Sequence, residues 1–311
     1  MTGEELKDIA ADILFEGRIS FMEPMSRHTS LRIGGPADIF AEPGTIASLA
    51  RLHEYLQKSE IAFFPLGAGT NILVKDGGIL GAAVCLNSFR NVEAVAEDAG
   101  YAFLSVGAGV FLQRLVVFAK EKGYAGIEGL AGIPGTVGGA ICGNAGSFGF
   151  EMKDVLVSID IMDSEGQIRK VRAEDVTFGY RTSGILPADL ILGAAIKLRK
   201  EKREDVAERT GHFLRIKRER QPIWEPSAGC VFRNPAGLSA GKLIDEAGCK
   251  GLRVGDVVVS EVHANFFINT GNARAADFIR LMQMVSARVS SRFGIDLEPE
   301  IRIVGRDDAD R

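Results

Sequence analysis

Gly129-Leu130-Ala131-Gly132-Ile133-Pro134-Gly135-Thr136-Val137-Gly138-Gly139-Ala140 has almost no side-chain chemistry and many backbone N–H donors. It lies in a longer stretch, residues 126–149, that holds nine of the chain's 37 glycines. The first five recur at every third position, as in collagen, but the period then ends and the proline spacing of a triple helix is missing. A long uncharged glycine run in a packed protein puts backbone close against something, because no Cβ intervenes. Pro134 fixes a turn and Thr136 offers a hydroxyl. A pyrophosphate or a flat isoalloxazine ring can approach such a surface.

A second glycine loop lies upstream. Pro65-Leu66-Gly67-Ala68-Gly69-Thr70-Asn71 follows an apolar strand at 61–64. The dinucleotide fingerprint of a doubly wound sheet needs a third glycine where this chain has Ile72, and a helix directly afterwards. Here Ile72-Leu73-Val74 is extended instead, and no Gly-Lys-Ser/Thr is present. What remains is strand–loop–strand, whose successive N–H groups can form a concave anion site without lysine. Alone, this loop reads as a plain tight turn. With the second run beside it, the pair points to an extended dinucleotide cofactor held mostly by main chain.

Composition bounds the rest. At 311 residues the chain is long for one domain, and its 46% hydrophobic and 25% charged shares are those of an ordinary globular protein. Thirty-seven Lys plus Arg against 41 Asp plus Glu give a net charge of −4, which argues against a dedicated nucleic-acid or anionic-membrane binder. The most basic stretch, 197–220, is interleaved with Glu201, Glu204, Asp205, Glu208 and Glu219 and reads as a solvated helix face. No apolar run approaches the ~20 residues of a membrane span. Residues 1–12 carry Glu4, Glu5 and Asp8 instead of a basic leader region. Cys85, Cys142, Cys230 and Cys249 are scattered and the four histidines show no ligand spacing, so no metal site is expected. A cytoplasmic protein with reduced thiols follows.

Periodicity gives an α+β order. Thr45 caps a helix with Ile46, Leu49, Leu52 and Leu56 on one face, and a second unit begins near Asn91. Its strand at 102–106 leads through Gly107-Ala108-Gly109 into a helix at 111–122, stopped at Gly123. Segments 155–162 and 167–172 read as a hairpin and 190–198 as a strand. A charged helix at 201–220 precedes helices at 239–247 and 273–292 and a strand at 265–269. Phe278, Met282, Val285 and Val289 make a core stripe. A closing strand at 297–304 is expected to return to an earlier one.

An ordered set of motifs runs along this frame: His28-Thr29-Ser30-Leu31-Arg32-Ile33-Gly34-Gly35-Pro36-Ala37, then the two glycine segments. Tyr180-Arg181-Thr182-Ser183, Ser227-Ala228-Gly229-Cys230-Val231-Phe232-Arg233-Asn234-Pro235, His263-Ala264-Asn265-Phe266 and Leu297-Glu298-Pro299-Glu300-Ile301 follow. From residue 26 to residue 305 the chain resembles the UDP-N-acetylenolpyruvoylglucosamine reductases (UDP-N-acetylmuramate dehydrogenases), flavoenzymes of bacterial cell-wall synthesis. The resemblance implies a two-part FAD-binding fold of the PCMH, or vanillyl-alcohol-oxidase-like, type with an α/β substrate-binding domain. The expected division is 1–88 with the closing strand 297–305, then 89–202, then 203–296. FAD would be held by Gly67, Ala68, Gly69, Thr70, Asn71, Gly132, Ile133, Pro134, Gly135, Thr136, Gly139 and Ala145. A cytoplasmic monomer is expected, with no nucleic-acid or membrane partner.

The implied reaction uses NADPH, through FAD, to reduce the enolpyruvyl ether of UDP-N-acetylglucosamine-enolpyruvate. Such chemistry needs a fixed cation or acid for an enolate-like species and a separate proton donor. By family position Arg181 is the cation and also touches substrate. Glu300 is the catalytic carboxylate, with Glu298 as fallback, both read as sharing one face of the closing strand while Leu297, Pro299, Ile301 and Ile303 face the core. Cys230 stands where many members carry a serine as proton donor. A thiol, with a reference pKa of ~8.5, can also donate, at the cost of sensitivity to alkylation and oxidation. Cys85 and Cys142 read instead as buried structural cysteines. Asn234, Lys242 and His263 are the implied ligands of the diphosphate and sugar. The four tyrosines are Tyr55, Tyr101, Tyr124 and Tyr180, so the extra tyrosine loop of one subtype is lacking and the chain matches the shorter subtype. A same-fold FAD oxidase or dehydrogenase of hydroxy acids or alcohols, and a non-catalytic flavin or sugar-nucleotide binder, are the alternatives.

Overall fold

A computed structural model describes residues 13–186 and 188–307; the expectation about a leader falls on residues 1–12, outside the described set. The chain forms two compact units. The first comprises the described part of Met1–Phe21 with Ile39–Ala68 and Gly81–Ile216; the second comprises Met22–Asp38, Gly69–Leu80 and the described part of Lys217–Arg311. Each has its own apolar core.

In the first unit, α1 (Ile46–Lys58) starts where the Thr45 hydroxyl accepts from the Ser48 N–H at 3.1 Å, a cap worth about 1 kcal/mol. Its buried face holds Leu49, Leu52 and Leu56, as the spacing requires, but Ile46, expected with them, is exposed in the first turn. Strands β1 (Gly17–Pro24), β2 (Pro36–Pro43), β3 (Phe63–Leu66) and β5 (Ile79–Cys85), most of whose residues belong to this unit, make a sheet in the order β1-β2-β5-β3, with β3 and β5 parallel. A second, antiparallel sheet is built from β6 (Val92–Glu97), β7 (Tyr101–Gly107), β11 (Leu156–Met162), β12 (Ile168–Arg172) and β13 (Leu190–Lys200), ordered β12-β11-β13-β7-β6; β8 (Tyr124–Ala125) adds to β13, and β9 (Gly146–Ser147) pairs, among the described residues, only with β10 (Phe150–Glu151). Helix α2 (Leu112–Lys122) follows β7 and ends at Gly123, whose φ of 71° turns the chain out of the helix.

In the second unit, β4 (Ile72–Val74) pairs in parallel with the last strand, β17 (Arg302–Val304). Strands β14 (Arg253–Val254), β15 (Val257–Val259) and β16 (Phe267–Asn269) form an antiparallel sheet. It packs with α5 (Ala240–Glu246) and α6 (Ala275–Phe293) around Phe232, Phe267 and Phe278. The stripe Phe278, Met282, Val285 and Val289 is buried core. The Asp76 carboxylate accepts from the Ala275 and Ala276 N–H groups at 2.9 and 3.0 Å, so a residue just after β4 caps α6.

Several expectations need correction. The closing strand is three residues long, not eight. Pro299 has no N–H for a ladder, and residues 297–301 are irregular, with one isolated bridge from Pro299 to Phe232. The alternation therefore fails: Leu297 and Ile301 are buried, Pro299 is exposed and Ile303 is 37% exposed. Helix α4 (Arg203–Arg220) is not simply a solvated face, since Arg209 donates to the buried Glu128 carboxylate at 2.7 and 3.0 Å. Cys142 is exposed at the end of a short helix, not buried. Cys85 and Cys249 are the buried cysteines, and burial pushes the Cys85 thiol up to about 12.

Candidate active site

In the first unit the glycine block is zipped onto the segment after β7. Leu112 N–H donates to Gly135 O at 2.9 Å, Val137 N–H to Val110 O at 2.8 Å and Gly138 N–H to Ala108 O at 2.9 Å. The block is not all loop: Val137–Cys142 forms a short helix, α3, capped by the buried Thr136 hydroxyl. Gln113 on α2 braces the turn before it. Its amide oxygen accepts from Gly132 N–H at 2.8 Å and its nitrogen donates to Ile133 O at 2.7 Å and Leu130 O at 3.2 Å. Pro134 and Gly139 are exposed, and Ala145 N–H donates to Ala140 O at 2.7 Å. The first glycine loop meets this block. A Cβ on Gly67 would stand 3.0 Å from Thr136 Oγ1 and 4.0 Å from Gly139 Cα, so the two runs face each other in the first unit.

Arg181 stands beside the same block. It has a left-handed φ of 59°, its Nη1 donates to Gly146 O at 3.4 Å, and its guanidinium lies 5.5 Å from the Tyr180 ring. The loop that carries it is tied down from both sides. Ser183 Oγ donates to Cys142 O at 2.9 Å, and the buried Asn144 donates to Gly179 O at 3.2 Å and to Glu151 Oε2 at 2.9 Å while accepting from Lys153 N–H at 3.1 Å. Lys153 first, then the Asn144 amide and the Arg181 charge, hold the Glu151 carboxyl below the usual carboxylate range.

The second unit holds the rest of the loop. Gly69, at φ 63°, runs so close to the 28–29 backbone that a Cβ would lie 2.0 Å from His28 O. Ser30 Oγ donates to Ser227 O at 2.6 Å, while its N–H donates to Gly69 O at 3.0 Å. Thr70 is half-buried and Asn71 exposed, and the Asn71 amide reaches Glu300 O at 3.4 Å. Cys230 bridges Phe266, and the neighbouring Val231 carbonyl accepts from Glu300 N–H at 2.8 Å. The structure thus brings Cys230, Glu300 and Asn71 onto adjoining backbone within one unit. Glu298 is exposed, and its carbonyl accepts from Arg233 N–H at 2.8 Å.

Asn234, Lys242 and His263 gather at the first half of α5. Asn234 Oδ1 accepts from Ala240 N–H at 2.9 Å, and the exposed Lys242 stands 3.7 Å from Glu246. The His263 ring lies against Gly241, where a Cβ would come within 2.8 Å of it, and against Phe266 at 4.9 Å between centroids. Its Nδ1 accepts from Asn265 N–H at 3.2 Å, and burial, with a smaller push from Lys250, lowers its pKa. His53, the nearest histidine to the first glycine loop, is buried on α1 against Phe63.

Three residues escaped sequence reasoning. Gln113, Asn144 and Asn265 each spend a side-chain amide on backbone far away in sequence. A signal existed only for Asn144, an asparagine among glycines at a helix end, where left-handed backbone (here φ 39°) is common. Among the described residues no His, Cys, Asp and Glu group could hold a metal ion, and no helix is long and apolar enough to cross a membrane.

The uncharged, glycine-lined approach of Gly67 to Thr136 and Gly139 suits the backbone cradle that FAD requires. A family model described as an FAD binding domain matches residues 37–172, and one described as the C-terminal domain of UDP-N-acetylenolpyruvoylglucosamine reductase matches residues 221–304. The UDP-N-acetylenolpyruvoylglucosamine reductase of Caldanaerobacter subterraneus subsp. tengcongensis is 41% identical over 97% of this chain and 99% of its own length. That of Geotalea uraniireducens is 40% identical over 94% and 95%. The crystal structure of the Thermus caldophilus reductase superposes with a TM-score of 0.80 at 33% identity, covering 94% of this chain and all of that one. A Physcomitrella patens protein, BBE-like 1, shares the fold at 18% identity and a TM-score of 0.50, over 63% of this chain and 44% of its own. The chain belongs to the UDP-N-acetylenolpyruvoylglucosamine reductase family and is an FAD-dependent oxidoreductase with the α+β fold of that group.

Proposed function

We propose that this chain reduces UDP-N-acetylglucosamine-enolpyruvate to UDP-N-acetylmuramate for peptidoglycan precursor synthesis, with NADPH as reductant. FAD, held by the two glycine runs, would supply the hydride chemistry that links NADPH to the terminal methylene carbon of the substrate. The chain's residues then manage charge and proton. Hydride addition leaves negative charge on the neighbouring carbon and its carboxylate. Arg181 forks onto that carboxylate and steadies the charge. The Cys230 Sγ–H gives its proton to the carbon, and the thiolate regains one from water. One hydride and one proton thereby cross one C=C bond, leaving the ether and phosphates intact. Glu300 acts as electrostatic partner or proton-holding acid beside Cys230. Asn234, Lys242 and His263 hold the diphosphate and sugar.

The observation that carries the reading is the 2.8 Å bond from Glu300 N–H to Val231 O, one residue from Cys230. The domain division 1–88 with 297–305, 89–202 and 203–296 belongs to the same proposal, as do a monomeric state and a cytoplasmic setting. Purified protein tests it anaerobically. Bleaching of the flavin by NADPH and reoxidation by the enolpyruvyl sugar nucleotide are expected; bleaching by a hydroxy acid would favour the oxidase alternative.

A further inference from the structure

Cys230 has a short side chain, so the position of its sulfur follows from its backbone. The two residues after it, Val231 and Phe232, offer four backbone polar groups, and all four are engaged. Val231 N–H donates to Asn265 O at 2.8 Å and Val231 O accepts from Glu300 N–H at 2.8 Å. Phe232 N–H donates to Asn265 Oδ1 at 2.9 Å and Phe232 O accepts from Asn265 Nδ2 at 2.8 Å. Three of the four therefore go to one residue. Asn265 is 2% exposed, and reversing its amide would set donor against donor and acceptor against acceptor. The clasp is itself fixed. Asn265 N–H donates to His263 Nδ1, Phe266 N–H donates to His263 O at 2.9 Å, and Phe266 O accepts from Ser260 N–H at 2.9 Å.

We propose that Asn265 is the positioning residue that sets Cys230 against Glu300. The inference rests on Cys230 being the proton donor. Asn265 grips the dipeptide on one edge while Glu300 takes the other, so loss of the clasp lets Cys230 drift relative to the carboxylate. A displacement of about 1 Å can cost on the order of 100-fold in rate.

The test is a double-mutant cycle on FAD-loaded enzyme, read in two anaerobic half-reactions. Asn265→Ala is expected to slow reoxidation by the enolpyruvyl sugar nucleotide about 100-fold and to leave bleaching by NADPH within about twofold. In a Cys230→Ala background the same change is expected to cost less than about threefold, because the residue it positions is gone. A purely structural role would slow both backgrounds alike, and that result, or unimpaired reoxidation in Asn265→Ala, overturns the proposal. Asn265→Asp, which keeps the acceptor for Phe232 N–H and loses the donor to Phe232 O, takes its place if the alanine variant does not fold. Should Cys230→Ala itself reoxidise at the parental rate, the donor reading falls and positioning is judged on the thiol. Peptide-resolved alkylation of Cys230 should then change at least about fivefold in Asn265→Asp while that of the exposed Cys142 stays constant. An unchanged Cys230 rate overturns it.

Discussion

Arg181 and Cys230 are held by opposite means. Arg181 sits in a loop of the first unit, in a left-handed conformation that costs a non-glycine residue about 1–3 kcal/mol, and is braced through side chains: Asn144 on Gly179, Ser183 on Cys142. Cys230 sits at an isolated β-bridge to Phe266 in the second unit, and the two residues after it are braced by main chain and one buried amide. The difference follows the side chains they carry. A guanidinium on a long stem can swing to a carboxylate, so its loop tolerates some play. A thiol has a single rotor, so its main chain must be right.

The contrast can be broken most sharply at Arg181. Replacing it by Ala removes the fixed cation and is expected to slow reoxidation by substrate about 10²–10³-fold, with NADPH bleaching little changed; equal loss in both half-reactions would mean that the loop serves general structure. Arg181→Lys should recover only part, because an ammonium cannot fork. Next comes Gly69→Ala, whose Cβ would meet His28 O at 2.0 Å. An overpacking cost of about 1–3 kcal/mol should appear as a lower melting temperature and faster loss of FAD absorbance on dilution. Retained FAD and an unchanged melting temperature would show that the loop can relax. Smaller still, Asn144→Ala should cost roughly tenfold in reoxidation, less than Asn265→Ala, since the long arginine can compensate. The reverse order would undo the comparison.

The smallest effect concerns pH. Burial depresses the His263 pKa in the fold, so the unfolded chain binds the proton more readily. The stabilisation is therefore present above the unfolded value of about 6.5 and is lost as pH falls through the lower folded value. His263→Asn, which keeps an acceptor for Asn265 N–H, should flatten the fall of melting temperature between about pH 7 and pH 5; an unchanged slope would remove His263 from the balance.

Much of this was legible in the sequence, for local reasons. Thr45 and Gly123 mark helix ends by capping chemistry that needs only a few neighbours, and the α6 stripe declares its core face by spacing. The glycine block reads as a cradle because its lack of side chains is itself the signal. Pro299 could have warned that no long closing strand would form. The two asparagines and Gln113 were not legible as struts. Asn265 and Phe232 lie 33 residues apart and Asn144 and Gly179 lie 35, and no pattern of hydrophobicity or turn residues encodes such a pairing. A still longer separation hid the join between Val231, next to Cys230, and Glu300, which only the resemblance to the family suggested.

The most direct measurement is the single-turnover reoxidation of NADPH-reduced enzyme by the enolpyruvyl sugar nucleotide, compared among the parent, Cys230→Ser and Cys230→Ala. A proton-donating thiol requires Cys230→Ser to stay within about tenfold of the parent and Cys230→Ala to fall by at least about 100-fold. Reoxidation of Cys230→Ala at the parental rate would contradict it.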